Sequence, residues 1–220
     1  MMFRVLGPLE VEPDAEWITL SGARLRALLT ALLMQPNTVV PSYRLAEAVW
    51  GDQPSDKTAN ALHVLVGRLR PRLRPLGGSI LTRPPGYLLA VDEESIDSQR
   101  FEVGYRSARR LRSEDPGKAA ALLDEALALW RGPAYGEFAD GFARAAATRL
   151  EELRVSALED RAALLIHCGS ASEAVASAGH LVAQQPLRER PVELLQVQHP
   201  TRGAQSEESL GSPQEGARGQ

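Results

Sequence analysis

The chain has 220 residues, 44% of them hydrophobic and 24% charged, with a formal net charge of -3. That length is long for one small domain and comfortable for two. The longest apolar stretches, such as residues 27–34, are broken by Thr30 and fall far short of the roughly 20 residues a bilayer span needs, so no membrane partner is expected. The opening MMFRVLGPLEV lacks the apolar core of a signal peptide. The one cysteine, Cys168, excludes an intramolecular disulfide. These features together read as a cytoplasmic protein.

In chain order, MFRVLGPLEV alternates, with Phe3, Val5, Leu9 and Val11 on matching faces and Gly7-Pro8 as a break, which predicts two short strands around a turn. WITL, residues 17–20, reads as a third strand. Ser21 offers an N-cap for a helix over 23–34, whose Leu25, Leu28, Leu29, Leu32 and Leu33 recur at helical spacing. Pro36-Asn37 ends it. Ser42 then caps a short helix with Leu45, Ala46 and Val49 inward, closed by Gly51, and Ser55 or Asp56 caps a third.

The third helix, centred on NALHVLVGRLRPRLRP, has two chemically distinct sides. At 100° per residue Leu62, Leu65, Val66, Leu69 and Leu73 form one stripe, a core face. Opposite lie Lys57, Asn60, Val64, Gly67 and Arg68, with His63 and Arg70 on the flank. Six lysines and arginines and no acid fall within residues 57–83. A merely solvated helix face interleaves both signs, because opposite charges four residues apart support it. The helix also follows a short helix and a tight loop, the layout of a helix-turn-helix. Pro71 interrupts the arginine run. A proline in a helix interior costs ~3 kcal/mol, so the helix is expected to kink or end near Arg70, leaving Arg72 and Arg74 in an irregular segment suited to phosphates.

Residues 79–83 and 87–91 read as strands around Pro84-Pro85-Gly86, a hairpin with Arg83 near its tip. A basic helix followed by such a hairpin suits double-stranded DNA: the helix enters the major groove and the tip arginine reaches backbone or minor groove. Val64 then suits a thymine methyl, Asn60 a polar base edge, and Gly67 close approach.

Residues 2–92 resemble the DNA-binding domain of the SARP regulators, an OmpR-like winged helix. The matching pieces are FRVLGPLEV, RLRALLTALLMQPNTVV, RLAEAVWGD, NALHVLVGRLR and LTRPPGYLL. The resemblance implies groove-facing positions at Val64, Arg68 and Arg70, with Arg83 in the wing. It also implies binding to promoter direct repeats, self-association of neighbouring copies on DNA, recruitment of RNA polymerase through the loop at 51–55, and control of antibiotic or other secondary-metabolite genes. The DNA-contacting set expected is Lys57, Thr58, Asn60, His63, Val64, Gly67, Arg68, Arg70, Arg72, Arg74 and Arg83.

Residues 99–195 are rich in Ala, Leu, Arg and Glu and read as helix throughout. Phe101, Tyr105, Ala108 and Leu111 form one stripe, Pro116-Gly117 a turn, and Ala119, Leu122, Leu123, Ala126, Leu127 and Trp130 a second stripe. A long helix follows, ended by Gly169. ASEAVASAGHLVAQQP echoes PGKAAALLDEALALW about 55 residues earlier, which suggests repeats of the tetratricopeptide type. This half resembles the bacterial transcriptional activator domain, a scaffold for self-association and regulation. The resemblance stops near Leu195, so that domain is expected to be incomplete, with the helix at 188–195 weakened by Pro191. Residues 196–220 hold almost no large apolar side chains and read as disordered.

The expected fold is therefore mainly α with small β elements: a winged helix-turn-helix domain over 1–95, then a TPR-like all-α domain over 99–195. No catalytic constellation, cofactor or metal is expected. DPGKA lacks the glycine loop of a phosphate site, and His167 and Cys168 read as core packing. Glu151, Glu152, Glu159 and Asp160 read as surface partners of Arg149, Arg154 and Arg161. The rival to DNA binding is a protein-interaction scaffold whose winged helix is weakened by Pro71.

Overall fold

A computed structural model describes residues 3–12, 20–51 and 58–169. Two short strands, β1 (Phe3–Arg4) and β2 (Glu10–Val11), pair antiparallel around Gly7-Pro8, and their Phe3, Val5, Leu9 and Val11 are all buried. Of the strand expected at 17–20 only Leu20 is described, buried but outside any strand. The first helix, α1 (Ala23–Leu33), buries the five leucines expected of it. Its N-cap is Gly22 at φ 97, with no side-chain cap, so Ser21 does not take that role. Strand β3 (Val39–Pro41) follows, too short and too proline-rich to stand out in the sequence. Pro41 fills the N-cap of α2 (Ser42–Trp50), and Ser42 is the first helical residue, its N–H bonded to the Pro85 carbonyl at 3.1 Å.

The third helix, α3 (Thr58–Leu73), continues past Pro71 into a single 3-10 turn at Arg74–Leu76. Proline removes one backbone hydrogen bond and crowds the carbonyl four residues back, which here belongs to Gly67. Against that cost stand Leu69 and Leu73, both fully buried. Burying one leucine is worth about 1.5–3 kcal/mol, comparable with the ~3 kcal/mol that proline costs. The helix therefore does not end near Arg70. Strands β4 (Ser79–Arg83) and β5 (Gly86–Ala90) form the hairpin, and β5 lies between β4 and β3 in one antiparallel sheet. Gly86 is required where it stands, since a Cβ there would fall 1.9 Å from the Val40 carbonyl oxygen.

The remainder is helical: α4 (Asp97–Leu111), α5 (Pro116–Leu127) and α6 (Arg144–His167). Pro116-Gly117 opens α5 rather than forming a separate turn. Asp115 is its N-cap, accepting from the Lys118 N–H at 2.9 Å, and proline is at home in a first helical position. Phe101 meets Trp130 edge-on at 5.2 Å in the core of this part, and the Arg154 guanidinium lies 4.7 Å above the Trp130 ring. Gly169, at φ 81, follows the Cys168 C-cap.

The two parts share one continuous apolar core. The N-terminal hairpin is locked into the helical part by its backbone. Val5 and Leu6 donate their N–H groups to the two oxygens of Asp97, at 2.8 and 3.1 Å. Their carbonyls accept from the N–H groups of Tyr135 and Arg131, at 2.6 and 2.8 Å. All four backbone polar groups of this dipeptide are thus satisfied from residues 97–135. The Arg131 side chain adds bonds to Glu10 at 2.9 Å and to the Pro8 carbonyl at 3.1 Å. A second clasp joins Arg26 of α1 to both carboxylate oxygens of Glu137.

Candidate nucleic-acid interface

The apolar stripe of α3 anchors the helix: Leu62, Leu65, Val66, Leu69 and Leu73 are all buried. Its other side faces outward. Asn60, His63, Val64, Gly67 and Arg68 are exposed, and Val64 is 53% accessible, a large aliphatic side chain held in water. Nothing would meet a Cβ at Gly67, so the backbone there is open to close approach.

Three expected contact residues, Thr58, Arg70 and Arg72, stand differently from the sequence expectation. Thr58 is buried at 8% exposure and is withdrawn from the face because it starts the helix against the core. Arg70 is half-buried and committed: its Nε donates to the Ile80 carbonyl at 3.0 Å and its Nη2 to Thr82 Oγ1 at 2.7 Å. It braces the helix against the hairpin rather than pointing into an open groove. Arg72 lies inside the helix and its Nη1 donates to the Arg68 carbonyl one turn back, at 2.7 Å. Arg74 is exposed in the 3-10 turn, so of the two only Arg74 leaves the α-helix. Arg83 is exposed at the hairpin end. Lys57, and residues 52–55 of the loop expected to meet RNA polymerase, lie outside the described residues, as do the helix at 188–195 and the tail.

His63 makes a second link to the sheet, its Nδ1 3.4 Å from the buried Tyr87 hydroxyl. The hairpin is therefore fixed to one flank of α3 by His63 and Arg70. The other flank borders α1 and α2, and there an arginine the sequence reading missed, Arg24, lines an open groove with Trp50, Asn60, Val64 and Arg68. No local signal marked it, because its relation to α3 is set by tertiary packing.

The remaining polar groups have structural roles. Glu159 is 4% exposed, so it is buried rather than on the surface. Arg149 pairs with Glu102 of α4 at 2.7 Å, and Arg161 pairs with Asp124 of α5, so these arginines tie helices together. Hydrogen bonding to Glu102 raises the Arg149 pKa. The Glu151 carboxylate accepts from the Ala134 N–H at 3.1 Å. His167 and Cys168 are exposed at the end of α6 instead of packing in the core. Among the described residues no group of three His, Cys, Asp or Glu side chains is placed to hold a metal, and no helix is long and apolar enough to cross a membrane.

Residues 16–89 match the C-terminal domain of transcriptional regulatory proteins, and residues 96–207 match the bacterial transcriptional activator domain. The chain belongs to the SARP family of transcriptional regulators. It is 34% identical over 200 residues to the transcriptional regulator RedD of Streptomyces coelicolor, covering 88% of this chain and 57% of RedD. It is 32% identical over 209 residues to the regulatory protein AfsR of the same organism, covering 94% of this chain and 21% of AfsR. The chain thus spans little more than half, or less, of these SARP relatives. A solved structure of Mycobacterium tuberculosis EmbR, in complex with a low-affinity phosphopeptide, superposes with a TM-score of 0.83 at 29% identity, over 90% of this chain and 54% of EmbR. These relatives are regulators of transcription, not enzymes.

Proposed function

We propose that the chain is a sequence-specific DNA-binding transcriptional activator of the SARP type, working in the cytoplasm and directed at secondary-metabolite genes. One observation carries the reading: the outer side of α3 holds Asn60, Val64, Gly67 and Arg68 exposed, free of acid, beside a hairpin that ends in Arg83. In this reading α3 lies in the major groove and the hairpin tip meets the backbone or minor groove. Arg68 and Asn60 read base edges, Val64 meets a thymine methyl, and Arg74 and Arg83 hold phosphates. Arg70 and His63 keep helix and hairpin in register. Promoter direct repeats, side-by-side copies on DNA and contact with RNA polymerase belong to the same proposal. The names of RedD and AfsR, both regulators, support it.

The test is selection of bound duplexes from a random pool with the full chain, followed by affinity measurement. Arg68→Ala is expected to weaken binding to the selected sequence by ~1–3 kcal/mol, with a smaller effect on arbitrary duplex. Failure of the selection to enrich any sequence refutes specific binding. An equal loss on all sequences moves Arg68 from base to phosphate.

A further inference from the structure

We propose that Arg24 grips a backbone phosphate of the bound duplex, on the strand that passes the α1 side of α3; this rests on the DNA-binding reading above. A helix seated in a major groove lies between two phosphate walls. The two flanks of α3 are built differently. At 100° per residue, His63, Gly67 and Arg70 turn toward the hairpin, while Ala61, Val64 and Arg68 turn toward α1. On the hairpin side Arg83 is exposed and faces one wall. On the α1 side Arg68 is the only arginine of α3 that is both exposed and not bonded to a carbonyl, because Arg72 is spent on the Arg68 carbonyl. If Arg68 reads a base, that wall is left without a cation from α3.

Arg24 fills that position. It is exposed, and it shares with Asn60, Val64, Arg68 and Trp50 an open groove of about 450 Å³ between α1 and the outer side of α3. Its neighbour Arg26, in the same turn, is engaged by Glu137 and by the Leu20 carbonyl at 3.1 Å. Arg24 has no ion pair among the described residues. Its placement also runs against local helix electrostatics. It lies in the first turn of α1, which holds no acid, and a cation there opposes the helix dipole. An arginine that does not support its own helix, has no ion pair among the described residues and opens onto the groove beside α3 fits an external anion. The regular anion beside a groove-bound helix is the phosphodiester.

The experiment measures the affinity of the full chain for a short duplex of arbitrary sequence from 50 to 200 mM salt, for wild type, Arg24→Ala and Arg24→Lys. Each phosphate neutralised contributes about -0.9 to the slope of log K against log salt. Arg24→Ala is expected to flatten the slope by about 0.9, so that the fourfold rise in salt costs about 3.5-fold less affinity than in wild type. Arg24→Lys is expected to keep the wild-type slope. Ala is a good residue for an exposed helix position, and matching far-UV circular dichroism checks the fold. An unchanged slope and affinity in Arg24→Ala, with wild type binding normally, overturns the phosphate assignment and leaves the DNA reading intact. A loss that varies with sequence at constant slope overturns it too, making Arg24 a base reader. Absence of wild-type binding sinks the DNA reading itself.

Discussion

Replacing Asp97 by alanine tests how the two halves are joined. The Asp97 side chain is 1% exposed, and its oxygens accept the Val5 and Leu6 N–H groups, with Arg131 Nη2 at 3.9 Å. Alanine leaves two buried N–H groups without acceptors, at about 1–3 kcal/mol each, a loss of about 2–6 kcal/mol. An opposing effect is worked from the charge. Burial outweighs the N–H bonds and Arg131 and pushes the Asp97 pKa from 3.8 up to about 6. A folded-state pKa above the unfolded one means that the folded chain holds the proton more tightly. Stability from this group is then present at low pH and lost as pH rises through about 6, by about 3 kcal/mol in all. Alanine has no such charge to bury. The destabilisation by Asp97→Ala is therefore expected to be larger near pH 4 than at pH 7, by about 2 kcal/mol. Urea unfolding of both proteins across that range, followed by circular dichroism, reads the difference directly, with equal m values as the control. A difference that is flat, or that grows with pH, refutes the reasoning. It would mean that the N–H groups and Arg131 hold the carboxylate ionised in spite of burial.

Two further substitutions probe the reading unit. Gly86→Ala places a methyl group against the Val40 carbonyl and Pro41 Cα, both backbone, so nothing flexible can yield. A loss of about 3 kcal/mol or more is expected, a fall in Tm of roughly 6–12 °C, and a melting curve within error of wild type would contradict the geometry. Arg70→Ala removes two bonds to the hairpin and is expected to cost about 1–3 kcal/mol of stability while weakening duplex binding less than Arg68→Ala does. Equal loss of binding for the two variants, with stability unchanged in Arg70→Ala, would return Arg70 to the groove.

The core side of α3 was legible because five apolar residues repeat at helical spacing and no other element need be known to place them. The same wheel identified Asn60, Val64, Gly67 and Arg68 as the outer side. It could not see that Arg70 has acceptors at Ile80 and Thr82, which only hairpin packing brings near. Nor could it weigh Pro71, whose cost was readable but whose compensation, the complete burial of Leu73, depends on the tertiary fold. Capping readings failed at Ser21 and Ser42, where Gly22 and Pro41 occupy the cap positions instead. Arg24 escaped because its partners in space lie on another helix. The clamp around Val5 and Leu6 joins residues more than 90 positions apart, and no pattern within either segment announces it.

That clamp bears on how the molecule can be dissected. Stopping the polypeptide at residue 95 would delete the acceptor for two main-chain amides and uncover the aliphatic floor under Phe3 and Leu6. Starting it after residue 98 would strip Arg131 and Tyr135 of the carbonyls they bond. The scissors that follow the sequence motifs would cut through the joint that holds them, because each motif supplies the hydrogen-bond partners of the other's main chain.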